Sequence, residues 1–139
     1  MDSGVIVFLV AVLAIGLVTL VIVILTRRGS SPLNVEKYQA QWLSIESGLK
    51  RGEPSSAQLA ILNADKLVDM ALRERGIKGT TMGERMKTAK DTWSNADHIW
   101  SAHKIRNRIA HEPDVKVSYD IAKRALVAYK QALKDLGAI

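Results

Sequence analysis

The chain contains no cysteine, so neither a disulfide nor a thiolate-ligated metal can contribute to its fold or its chemistry. No HExxH pattern is present, and the three histidines, His98, His103 and His111, fall within one predicted helix. His103 and His111 are two turns apart, too far for a close i, i+4 ligand pair, so no metal and no other cofactor is expected. The glycines and threonines between Gly76 and Gly83 lack the lysine arrangement of a phosphate-binding P-loop. No Ser-His-Asp or paired-carboxylate constellation can be drawn from spacing. No aromatic residue punctuates a basic run, as a single-strand binder would want, so Trp42, Trp93 and Trp100 are expected to fill the core and an interface rather than to act as base-stacking platforms. There is no internal repeat, and nothing demands a sheet.

A long hydrophobic run is present instead. From Gly4 to about Thr26 the residues are almost wholly Val, Ile, Leu, Ala and Phe, which suffices for the ~20 apolar residues that cross a bilayer. A signal peptide would open on a basic stretch and carry ~7–15 apolar residues, whereas this chain opens on Met1-Asp2-Ser3 and runs on for longer. A small domain has no room to surround a helix that is apolar on every side. Residues 1–28 are therefore expected to be a single-pass anchor in the lipid bilayer of the cell membrane. Arg27-Arg28 directly follows the run, so the positive-inside rule puts the N-terminus outside and the C-terminal domain in the cytoplasm. Gly16 has no small residue four positions away, so pairing through this span is not indicated.

Residues 29–33 form a short spacer, and residues 34–139 read as one helical domain with a single core. Asn34 caps a helix from Val35 to about Lys50, with Tyr38, Trp42, Ile45 and Leu49 on one face. Pro54 opens a second, broad-faced helix that reaches Arg75 and stops at Gly76. Thr81-Met82-Gly83-Glu84 has the form of a capping box, with Glu84 expected to reach back to the Thr81 amide. A short helix to about Lys90 follows it. After a break that contains Trp93, Ser94 or Asn95 caps a fourth helix. Ser118 begins the last, whose buried stripe is Ile121, Ala125, Leu126, Tyr129, Leu133 and Leu136. The fold class is all-α: one transmembrane helix, then an antiparallel four-helix bundle with one short extra helix. The formal net charge of +6 favours an anionic partner, either nucleic acid or the inner face of a membrane.

The stretch Lys104-Ile105-Arg106-Asn107-Arg108-Ile109-Ala110-His111-Glu112-Pro113 carries the chemistry. Pro113 disfavours helical geometry at Glu112, so His111 ends the fourth helix. His103, Asn107 and His111 make a polar stripe, while Ile99, Ala102, Ile105 and Ile109 make the apolar one. Arg106 borders the buried face and needs a partner, because a lone buried charge is costly. His111 sits at the negative end of a helix dipole, which favours the protonated ring. An imidazole can exchange a proton near neutral pH, as RNA cleavage through its own 2′-hydroxyl requires. Arg106 can stabilise charge on the phosphate, Asn107 can orient the imidazole, and Arg108 can hold the RNA backbone.

Arg106-Asn107-x-x-x-His111 resembles the R-x(4–6)-H signature of the HEPN superfamily, and Ala64-Asp65-Lys66-Leu67 is similar to the second helix of such bundles, where an acidic residue faces the motif. The resemblance covers roughly residues 34–137. It implies a small helical bundle acting as a metal-independent endoribonuclease or RNA-binding module. It further implies a homodimer in which two copies of the motif meet to form one cleft, with Arg106 and His111 as catalytic residues and Asn107, Arg108 and Asp65 in support. The alternative is a non-catalytic scaffold that tethers an unidentified protein partner at the membrane, in which Arg106 pairs with Asp65 or Asp69, His111 bonds a helix-end carbonyl and Arg108 merely meets Glu112.

Overall fold

The computed structural model describes residues 2–27 and 31–139. Arg28 of the basic pair and Gly29-Ser30 of the expected spacer lie outside the described residues. The described residues form six α-helices and no strand: α1 (Ser3–Arg27), α2 (Val35–Gly48), α3 (Pro54–Glu74), α4 (Met82–Thr88), α5 (Ala96–His111) and α6 (Tyr119–Asp135). They divide into two compact units, Met1–Ser31 and Pro32–Ile139.

In the first unit, the stretch Ser3–Leu25 of α1 is long and apolar enough to cross a membrane. Its aliphatic side chains are exposed throughout, from Val5 to Leu25. Thr19 interrupts the run harmlessly, because its hydroxyl donates to the Ile15 and Gly16 carbonyls, both at 2.9 Å, and so finds its acceptors within the helix.

The second unit is the helical domain, built around α3. This helix packs against α2, α4, α5 and α6, and α5 also packs against α6. Small residues make that central position possible: Ala57, Ala60, Ala64 and Ala71 are buried and let neighbouring helices approach closely. Ile61, Val68 and Leu72 fill the remaining space and are wholly buried. From α6, Ala125, Leu126, Tyr129 and Leu133 are buried, as is Leu136 just after it, while Ile121 is only half-buried.

Short-range signals set the helix ends. Asn34, Thr81, Asn95 and Ser118 each accept from a backbone amide three residues on, at 3.0 to 3.3 Å, which satisfies one of the orphan donors at each N-terminus. Pro54 opens α3, and Gly76 follows its end with φ of +74°, a conformation that only glycine adopts without strain. Two details differ from the sequence reading. Leu49 is already extended, so α2 ends at Gly48 and not near Lys50. Glu84 reaches past Thr81, and its carboxylate accepts from the Thr80 amide at 2.7 Å and the Thr80 hydroxyl at 2.6 Å.

Between helices the chain is held by specific contacts. Trp93 is buried in the break before α5 and donates its indole N–H to the Met86 carbonyl at 3.0 Å. Val115 and Val117 are buried in the α5–α6 loop, where the Gln58 amide donates to the Val115 carbonyl at 2.7 Å. Among the described residues every buried hydrophobic side chain lies between Leu33 and Ala138, so residues 32–139 contain a complete core of their own. In that fragment Leu72→Ala is expected to cost about 2–5 kcal/mol, as a large-to-small change at a closed site does. Leu59→Ala, at an exposed position of the same helix, should stay within about 0.5 kcal/mol of the parent. Urea denaturation of the two variants checks the difference.

Candidate functional site

Asp65 on α3 is the residue from which the site is assembled. Its side chain is only 4% exposed, and a buried carboxylate is tolerated only with donors around it. Oδ1 accepts from the Tyr129 hydroxyl of α6 at 2.9 Å and lies 2.8 Å from His103 Nδ1 of α5. Oδ2 lies 3.2 Å from Arg106 Nε, at ion-pair distance but without hydrogen-bond alignment. With Asp65 as acceptor, the proton of His103 belongs on Nδ1, which leaves Nε2 toward Gly83 at the start of α4. Three helices therefore meet on one carboxylate.

Burial pushes the Tyr129 phenol well above the usual tyrosine range, and the negative charge and hydrogen bond of Asp65 push the same way, with partial relief from Arg106. The phenol is thereby kept protonated as a donor.

Next to this cluster, Arg85 of α4 is buried and fully engaged. Its Nε and Nη2 each lie 2.7 Å from Asp69 Oδ1, and Nη1 donates to the Gly79 carbonyl at 2.6 Å. Asp69 Oδ2 is also 3.0 Å from Arg73. Gly79 is required here on steric grounds: a Cβ at that position would sit 2.7 Å from the Arg85 backbone nitrogen. The connector before α4 is thus tied down by Arg85 from one side. On the other, the hydrogen bonds from Thr80 hold the Glu84 carboxyl below its ordinary range.

These elements enclose an open groove of about 900 Å³ between α3, the start of α4 and α5. Arg106, Asn107, His111 and Asp65 all line it. The Arg106 side chain is 36% exposed and His111 is exposed, so both are reachable from water. The carboxamide of Asn107 accepts from Arg106 Nη1 at 3.1 Å, so it steadies the guanidinium rather than the His111 ring. Arg108 does not line the groove. It projects on another side of α5, 3.4 Å from Glu112, beside the cleft between α5 and α6.

The lining is cationic. Asp69 answers Arg73 and Arg85, Asp65 answers Arg106, and the Glu84 carboxylate, bonded to Thr80, offsets part of the remaining positive charge. Lys66, Lys87 and Lys104 also line the groove, and among the described residues none has a carboxylate at ion-pair distance. A groove with unanswered positive charge attracts anions.

Sequence reasoning placed His103 on a polar stripe and Tyr129 on a buried one without joining either to Asp65. A signal did exist, since a buried tyrosine hydroxyl normally finds a hydrogen-bond partner and Asp65 interrupts the apolar face of α3. For Arg85 there was none, because its partners lie on another helix and in a connector.

No family model matches the chain, and no curated protein or solved structure matches it.

Removing Asp65 leaves His103 and Tyr129 without their acceptor and Arg106 without its counter-charge. Asp65→Ala should destabilise residues 32–139 by about 3–5 kcal/mol, the usual cost of breaking a buried charge pair, with thermal unfolding as the measurement. Tyr129 adds a pH dependence. Its folded pKa lies above the unfolded value of about 10, so its contribution is whole below pH 10 and is lost as pH rises beyond that. Tyr129→Phe should therefore lower stability at neutral pH by about 1.5–3 kcal/mol and flatten its decline above pH 10, both readable from urea midpoints across that range.

Proposed function

We propose that this chain is a membrane-anchored HEPN-like domain whose groove receives an RNA phosphodiester and cleaves it without a metal. The observation that carries the reading is that Arg106 and His111 line one water-open groove with three lysines that lack acidic partners. In this reading α1 crosses the cell membrane, and the basic pair at its end keeps the domain on the cytoplasmic side, where RNA is found.

The residues divide the chemistry between them. The 2′-oxygen attacks phosphorus, the 5′-oxygen leaves, and a cyclic 2′,3′-phosphate is formed. His111, free in the groove, takes the 2′-hydroxyl proton or returns one to the leaving oxygen. Arg106 is steadied by Asp65 and Asn107 and sets its remaining N–H groups against the charge that grows on the phosphate. Lys66 and Lys104 hold neighbouring phosphates. Pairing of two copies around the groove would bring in a second His111, so that one imidazole serves as base and the other as acid.

A second reading, a non-catalytic scaffold holding a protein partner at the membrane, is favoured by the grip of Asp65 on Arg106, which gives the guanidinium a structural task without any substrate. Incubation of residues 32–139 with RNA in the presence of a chelator separates the two. Cleavage is expected, and His111→Ala should lower its rate at least about 100-fold, as loss of general acid–base help does, with a melting curve close to that of the parent. Arg106→Ala should also abolish cleavage. Full activity in both variants, or no cleavage and no RNA binding by the parent, leaves the scaffold.

A further inference from the structure

We infer that the groove carries a nucleobase-binding subsite on Trp100, further along α5 from the position assigned to the phosphate; this rests on the reading of the groove as an RNA site. Of the three tryptophans, Trp42 is 3% exposed and Trp93 is 9% exposed, and both belong to the core. Trp100 is half-buried, packed against that core, and is the one tryptophan that lines the groove. Its surroundings there are cationic, with Lys104 one turn along the same helix.

Geometry supports a fixed platform. The Trp100 ring meets the His103 ring edge-on, with centroids 6.0 Å apart and planes at 79°, and His103 is itself held by Asp65 at 2.8 Å. Two χ angles are thus restrained by a neighbour that cannot turn freely. Along α5, Lys104 lies about 6 Å beyond Trp100, Asn107 about 10 Å and His111 about 16 Å, at ~1.5 Å per residue. A base stacked on the indole would lead its strand past Lys104 and Arg106 toward His111.

Size agrees with that course. At about 900 Å³ the groove lies near the upper end of the ~300–1,000 Å³ typical of small-molecule sites, far more than a lone phosphate fills. Every base has a π-face, so such a platform accepts any base that is unpaired and excludes those stacked within a duplex.

Binding is measured with the full chain in detergent micelles, using a fluorescein-labelled single-stranded octanucleotide of 2′-deoxyribose, which offers no 2′-hydroxyl for cleavage. A second octanucleotide of equal phosphate count carries abasic sugars throughout. The base-bearing strand is expected to bind at least fivefold more tightly than the abasic one and to quench tryptophan fluorescence, which the two core indoles should not report. Trp100→Leu should erase the difference between the strands while binding of the abasic one stays as it was, and Trp100→Phe should restore most of it. Circular dichroism melts confirm that both variants are folded. Equal binding of the two strands by the parent, or a preference retained in Trp100→Leu, overturns the subsite and leaves the phosphate site standing. If neither strand binds, the reading of the groove as an RNA site falls as well.

Discussion

A buried carboxylate with too many suitors governs this domain. Asp65 can remain inside the bundle only because α5 and α6 deliver donors to it, and His103, Tyr129 and Arg106 can be buried or half-buried there only because it accepts from or pairs with them. The arrangement is reciprocal, so the helices that carry it are held in one relative placement. A purely apolar contact between α3, α5 and α6 would permit some sliding. A hydrogen-bonded charge does not, since each donor must meet its oxygen within a few tenths of an ångström.

The groove inherits its shape from that constraint. Arg106 is drawn toward α3 by Asp65, and Asn107 follows because its carboxamide accepts from the same guanidinium. His111, one turn after Asn107, is left at the exposed end of the helix, where Pro113 prevents a further turn. On the opposite wall, Arg85 ties the connector before α4 to Asp69. The cations that remain unanswered are lysines, which keep their charge in water at little cost. Arginines paired with Asp65 and Asp69 thus form one part of the groove wall, and lysines without a carboxylate at ion-pair distance form another.

Much of the fold was legible in the chain because its determinants are local. Asn34, Thr81, Asn95 and Ser118 act on amides three residues away, and Pro54 and Gly76 act through their own backbone angles. Helical periodicity carried the buried faces of α3 and α6 equally well. It served α5 less well: His103 belongs by spacing to a polar stripe and is buried, whereas Ile105 and Ile109 belong to the apolar stripe and are only half-buried. Tertiary contact overrode the pattern there, since a carboxylate on α3 supplied the acceptor that makes a buried imidazole acceptable. Glu84 shows the same limit at short range, because a side chain with three rotatable bonds chose the Thr80 amide and hydroxyl over the neighbouring Thr81 amide.

From the amino acids in order one obtains the apolar rod of α1, the count and starts of the helices, the lack of any thiol chemistry, and an arginine and a histidine brought to the tip of α5. These follow from side-chain volume, backbone freedom and interactions over three or four residues. Only the folded chain decides that Asp65 meets a histidine 38 positions away and a tyrosine 64 positions away, that Arg106 is gripped while His111 is free, that Arg108 points elsewhere, and that one tryptophan of three lines the groove. Such pairings depend on how helices pack across the core, and residues far apart in the chain carry no local mark of the neighbours they will acquire.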